Sequence, residues 1–251
     1  MTSIDVVILS NGKNETLTDL TNQTIQTLIS SENSEEITFN IVVIESNASL
    51  QPFQYPNSIT IYPSTSFGFH KYLNIGVNQT QNEFICFCNN DLIFHKGWAS
   101  AILSASKKDN EIYSFSTFCP SFHADKLTEI PNEINYGYKN GVLFTGWCFM
   151  LKRETFNIVG SFDEKFIFWY ADDDFRLTLQ KYNLKNALIK EAKVTHLGSE
   201  TLNKEKSETQ FRLQYSANAY YQYKWKHKNP LLYLYHKTKY KLTSFKNNLN
   251  R

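Results

Sequence analysis

Three consecutive carboxylates, Asp172, Asp173 and Asp174, follow one of the most aromatic runs in the chain, Phe166-Ile-Phe-Trp-Tyr170. The spacing of Phe175, Leu179 and Tyr182 predicts a helix that Asp172 and Asp173 open, with those three residues on its apolar side. Acids in a first helical turn complement the positive end of the helix dipole, so capping alone is one reading. Three acids beside apolar rings that raise the pKa of at least one of them suit proton transfer or metal binding better. A second polar group, Asn89-Asn90-Asp91, ends the apolar run Phe84-Ile-Cys-Phe-Cys88. The same letters make good turns, but an acid at the carboxyl end of a buried strand is also where a divalent cation bridges phosphates.

The elements that must position these groups alternate. Ile4 to Leu9 and Phe39 to Ile44 read as buried strands, with a helix between them from about Asn14 to Ser30 built on Leu17, Leu20, Leu28 and Ile29. That βαβ unit implies a parallel sheet, and ligands of such sheets sit beyond the carboxyl ends of the strands. The stops Ser10-Asn11-Gly12 and Glu45-Ser46-Asn47 are expected side by side there, with Glu45 placed to accept the imino hydrogen of a uracil-like base. Further strands are predicted at Ile59 to Tyr62, Phe84 to Cys88, Ile112 to Phe118 and Val142 to Leu151, and short extended pieces at Asn186 to Ile189 and Lys193 to His196. Helices are predicted from His70 to about Asn78, where Asn74 and Gly76 leave a polar or close-approach spot, and from Gly97 to Lys108. The polar stretch Pro120 to Asn140 is long for a connection and reads as a substrate loop or lid.

Length and composition fit one α/β catalytic domain, residues 1–201, and a helical extension, residues 202–251. The content of 41 % hydrophobic and 15 % aromatic residues excludes a disordered chain. No run reaches the length of a membrane span and no leader pattern precedes the first strand, so a cytoplasmic protein is expected. The four cysteines lack zinc-ligand spacing and read as buried free thiols. Charge is uneven: Thr209 to Arg251 contains nine Lys and Arg and no acid, within a chain of net charge +2. Interleaved with Tyr and Trp, this basic end suits phosphates or an anionic membrane face; the alternative is a solvated tail with its rings packed on the main domain.

Taken in order, Ser10-Asn11, Glu45-Ser-Asn-Ala-Ser49, Phe67-Gly-Phe with Asn74-Ile-Gly76, Asn89-Asn-Asp91, Gly146-Trp-Cys-Phe-Met-Leu-Lys-Arg153, Val159-Gly-Ser-Phe-Asp-Glu164, Ala171-Asp-Asp-Asp174 and His196 with Ser199 resemble the inverting glycosyltransferases of family 2 over residues 3–200. The resemblance implies a GT-A fold, a mostly parallel Rossmann-like sheet flanked by helices. It implies a nucleotide-diphosphate sugar donor, UDP- or dTDP-linked, and Mg²⁺ or Mn²⁺. Donor contacts fall on Ser10, Asn11, Glu45, Asn47, Asn74, Asn90, Asp91, Gly146 and Trp147, and the metal on Asp91, Asn89 and His196. Asp172 stands where the family has the acceptor base. Ala171 replaces the Glu that usually precedes it, which leaves Asp173 as a rival base, and Asn89 replaces the first acid of the metal motif. Trp147 and Trp169 offer flat surfaces to a sugar ring, or simple packing.

Three functions remain open on the sequence. One is transfer of a sugar to a surface glycan or lipid-linked acceptor, with the basic end peripheral at the inner membrane face. Another is transfer to hydroxyl-modified bases of DNA gripped by that end. The third is a nucleotide-sugar- or nucleic-acid-binding protein without turnover, which Asn89 and Ala171 favour.

Overall fold

The computed structural model describes residues 1–198 and 207–249. Ser199 and the domain boundary between Thr201 and Leu202 lie outside the described residues. The elements are β1 (Thr2–Ser10), α1 (Glu15–Ser30), β2 (Ile37–Glu45), β3 (Ile59–Ile61), α2 (Phe69–Asn78), β4 (Phe84–Asn89), β5 (Leu92–Phe94), α3 (Trp98–Lys108), β6 (Ile112–Phe118), β7 (Ile134–Tyr136), β8 (Cys148–Lys152), α4 (Thr155–Val159), α5 (Ala171–Lys181), β9 (Lys185–His196), α6 (Ser207–Tyr221) and α7 (Pro230–Leu249). A π-helical turn, Gln222–His227, links the last two helices.

The sheet runs β3-β2-β1-β4-β8-β6-β9-β5, with β7 paired to β9. β1 to β4 are mutually parallel where they pair, as the βαβ reading requires. β8 is antiparallel to both β4 and β6, and β5 and β7 are antiparallel to β9, so the sheet is mixed rather than mostly parallel. Reversing β8 puts its amino-terminal end, and with it Gly146 and Trp147, at the edge where β1, β2 and β4 finish. That edge collects every polar stop singled out in the sequence.

Side chains alternate along β1 and fill two layers. Ile4, Val6 and Ile8 pack with Ile25 and Leu28 of α1 and Trp98 and Ile102 of α3, while Val7 packs with Tyr72 and Leu73 of α2 and Phe175 and Leu179 of α5. Gly76 lets α2 approach closely: a Cβ there would stand 2.4 Å from a Val7 methyl. α1 is capped by Asn14, whose Oδ1 accepts from Leu17 N at 3.0 Å. Its inner face is Leu17, Thr21, Thr24, Ile25 and Leu28; Ile29 is exposed, and threonines take places expected of aliphatics because they bond the β4–β5 connection. Thr24 Oγ1 receives Leu92 N and donates toward the carbonyls of Asn90 and Leu92. Tyr182, expected on the apolar side of α5, is exposed beyond the helix end.

Several boundaries shift. The strand expected at Val142 to Leu151 is only β8, because Gly141 (φ 67°) and the turn that follows it break the extended run. The stretch Pro120 to Asn140 holds a 3₁₀ turn, Ala124–Glu129, and β7, so it is a docked excursion. The two extended pieces after α5 are one strand, β9. All four cysteines are buried and free, and the sulfurs of Cys86 and Cys148 lie 4.0 Å apart on neighbouring strands.

Candidate functional site

At the shared edge, the Ser10–Glu45 register of β1 and β2 sets the two polar stops side by side, joined by Ser46 N to the Ser10 carbonyl at 2.9 Å. Glu45 is almost wholly buried and its carboxylate accepts from Gly12 N (3.0 Å), Asn47 N (2.7 Å) and Tyr55 Oη (2.8 Å). Both Glu45 oxygens thus accept bonds inside the protein and join the two loops, and the expected bond from a base imino hydrogen would be made in addition to these. Tyr55, whose hydroxyl also meets Ser10 Oγ, is pushed up to about 12 by burial, partly offset by the Ser10 bond and reinforced by the Glu45 charge. Asn47 donates to the Gly12 carbonyl and accepts from Ser49, and Asn90 donates to Thr21 Oγ1. Asn74 is likewise committed, to both backbone groups of Phe162 and to Glu164, so it ties α2 to the loop before α5. Asn11 stays half-buried on the loop rim.

The β5–β9 register, Leu92 opposite His196, brings Asp91 beside His196. Asp91 Oδ1 and His196 Nε2 stand 3.3 Å apart without hydrogen-bond geometry, and both are buried with no hydrogen-bond partner. Two buried polar atoms left unsatisfied cost free energy that a ligand between or beside them recovers. They are a carboxylate and an imidazole, which suit a divalent cation that takes its remaining ligands from phosphate oxygens. No cluster of three or more His, Cys, Asp or Glu with metal-holding geometry occurs among the described residues, so the protein supplies a partial shell. Asn89, expected in that shell, bonds through its backbone N–H to the Trp147 carbonyl at 2.9 Å. The Trp147 indole stacks on His196 (5.4 Å, 9°), and its buried Nε1 has no partner; the hydroxyl of Thr145 is orphaned in the same way. Phe122, from the excursion after β6, meets the edge of Trp147. Trp169 sits against Phe168, away from this stack in the contacts it makes.

The three acids separate by their partners. Asp173 accepts from Arg176 (2.9 Å) and Asn140 (3.0 Å). Asp174, nearly fully buried, is held by Lys224 Nζ (2.7 Å) and Trp225 Nε1 (2.7 Å) from the π-helical turn. Asp172 has only the backbone N–H of Asp173, at 2.9 Å, among the described residues. Burial, and then the Asp173 charge, raise its pKa above the ordinary carboxylate value. Gly146 makes room for it: a Cβ at 146 would come within 2.5 Å of Asp172 Cβ, so the acid is pressed onto the segment carrying Trp147. Gly146→Ala is expected to displace that carboxylate and to lower any reaction it serves by about 10²-fold, the scale of a 1 Å misplacement, with little change in melting temperature. Kinetics beside a thermal melt check it.

The same Lys224 also bonds Asp163 (2.8 Å), which Tyr220 Oη reaches at 2.9 Å, and Tyr221 stacks on Tyr170. Burial works to raise the Asp163 pKa, but the bonds from Lys224 and Tyr220 outweigh it and hold it below the ordinary value. Tyr170 occupies the left-handed region at φ 63°, an uncommon place for an aromatic residue, immediately before α5. Lys224, Trp225 and Tyr221 belong to the basic, aromatic carboxyl-terminal stretch, whose rings packing on the main domain was one of the two sequence readings; their hold on Asp174 and Tyr170 was not read from the sequence. The signal available for them was charge complementarity between an acid-free carboxyl-terminal stretch and an acidic remainder.

No family model and no curated protein sequence matches the chain. Among solved structures it is similar to GalNAc-T7, crystallised with UDP, GalNAc and Mn²⁺, at a TM-score of 0.59 and 12 % identity over 78 % of this chain. The matched region is 44 % of the GalNAc-T7 chain, so this chain spans less than half of that protein. The likeness is one of fold: the nine-stranded mixed sheet and its flanking helices have the GT-A arrangement.

Proposed function

We propose that the chain is an inverting glycosyltransferase of the family 2 type, which moves a sugar from a nucleotide-diphosphate donor to an acceptor hydroxyl. The observation that carries this reading is Asp172. It alone of the three acids lacks a side-chain partner among the described residues, and it lies against Gly146 at the edge where Asp91, His196 and Trp147 converge. In the proposed reaction Asp172 takes the proton of the acceptor hydroxyl as its oxygen bonds to the anomeric carbon. The bond from that carbon to the diphosphate breaks on the opposite side, and the sugar inverts. The raised pKa makes Asp172 a better proton acceptor than an ordinary carboxylate. Asp173, neutralised by Arg176, supports the helix start instead.

Asp91 and His196 would hold Mg²⁺ or Mn²⁺, which when bound neutralises charge on a departing diphosphate. The donor nucleotide, UDP or dTDP, is placed over the latched loops at Asn11 and Gly12, with Trp147 beneath the sugar. A protein that only binds is disfavoured because Asp172 is kept unpaired and destabilised in its charged form, an arrangement that structure alone does not require.

The test is a thermal-shift screen against UDP-, dTDP-, GDP- and CMP-sugars with Mg²⁺, Mn²⁺ or chelator. At a hundredfold excess over Kd a ligand stabilises the native state by about 2.7 kcal/mol. One nucleotide is expected to raise Tm in a metal-dependent way, and Asp91→Ala to remove most of the metal-dependent part. A donor shift indifferent to chelator and to Asp91→Ala overturns the metal assignment. Product stereochemistry by NMR then decides inversion.

A further inference from the structure

α7 presents two unlike faces. Its inner side packs back on α6 and the π-helical turn, with Tyr233 stacked on Tyr223 at 5.1 Å and close to Tyr220. Its outer side begins Leu231, Leu234, Tyr235, spaced i, i+3, i+4, and these are 77 %, 56 % and 56 % exposed. Lys239 follows four residues after Tyr235 on the same side of the helix. Lys237 lies over the Tyr233 ring and Lys239 over the Tyr235 ring. An apolar stripe with Lys239 beside it, on a stretch with no acid from Thr209 onward, is exposed on a helix whose other side packs on the protein.

We propose that this outer face of α7 docks on an anionic lipid surface, lying in the headgroup plane with its leucines inserted and its lysines among the phosphates. Charge complementarity selects the occupant. A second copy of the same face would set two acid-free basic surfaces against each other, and a nucleic acid would meet the lysines but leave Leu231 and Leu234 against phosphates, where they gain nothing. No described helix is long and apolar enough to cross a membrane, which is consistent with surface docking. The turn preceding α7 grips Asp174, two residues from Asp172, so a docked α7 would hold the acid site at a fixed position over the bilayer. Resting on the transferase reading, the acceptor is then a hydroxyl compound carried on a lipid.

The full chain is sedimented with vesicles of phosphatidylcholine alone and of phosphatidylcholine with phosphatidylglycerol, without donor, so that the outcome is independent of any transfer activity. Binding is expected only with the anionic vesicles. Lys239→Gln should weaken it about fivefold, and Leu231→Ser with Leu234→Ser at least about tenfold, with circular dichroism and donor hydrolysis unchanged. Should the serine pair perturb folding, Leu234→Ala alone carries the comparison. Absence of anionic-vesicle binding overturns the proposal. So does binding that ignores the leucines while duplex DNA is bound with steep salt dependence, which assigns the face to nucleic acid, or a dimer in ultracentrifugation that the serine pair dissolves.

Discussion

Asp172→Asn is expected to lower sugar transfer by about 10²–10⁴-fold, the usual contribution of a positioned general base, while leaving the donor-induced rise in Tm intact. Asparagine keeps the shape beside Gly146 and the bond from Asp173 N but cannot accept a proton from an acceptor hydroxyl. Asp173→Asn should have a smaller effect, because that carboxylate is already engaged by Arg176 and Asn140. The acid limb of the wild-type pH–rate profile provides a second readout. Activity falls as pH drops through the pKa of Asp172, and because burial holds that value above the ordinary one, the limb is displaced toward neutrality. Near-wild-type turnover of Asp172→Asn, measured by nucleotide release with acceptor present, would transfer the role to Asp173 or remove the scheme.

Lys224→Met is expected to cost about 3–5 kcal/mol of stability, the scale set by leaving one member of a buried ion pair without its partner. Asp174 is 2 % exposed, and removal of the ammonium strands its charge with only the Trp225 N–H. Burial already raises the Asp174 pKa against the opposing pull of Lys224, so the variant should answer by protonating Asp174 and loosening the first turn of α5. Pairing Lys224→Met with Asp174→Asn should restore a good part of the loss, and urea denaturation measures both. A Lys224→Met protein as stable as wild type would mean that the clamp does not hold. The same reasoning sets what truncation after Thr209 should do. An extension used only for acceptors would spare donor hydrolysis, whereas one that fixes α5 costs both activities together.

Much of this was legible in the residues. Continuous apolar runs announced β1, β2 and β4, since strands buried on both faces need them, and Asn14 and Gly97 stood at the starts of the helices they precede. Asp91, His196, Gly146 and Asp172 were named from motif order, and the fold brings them to one edge. What could not be read was direction and commitment. Nothing in Cys148–Lys152 says that the strand runs backwards, because antiparallel pairing is decided by how the chain returns. Nor does sequence tell a polar side chain with bonds to spare from one already engaged: Glu45 and Asn74 carry suitable chemistry, yet partners distant in sequence, Gly12 and Phe162, bond to them. Short strands such as β5 and β7 fall below the length at which alternation is visible.

The clamp also has a consequence in time. Lys224 is made fifty positions after Asp174, and at roughly 5–20 residues per second the ribosome takes several seconds to close that gap. The last strand, β9, is made within that interval, and from then until Lys224 follows the acid turn has no ammonium to pair with. Competence would therefore come late in synthesis, and a nascent chain halted before the π-helical turn should carry the fold's frame without its chemistry.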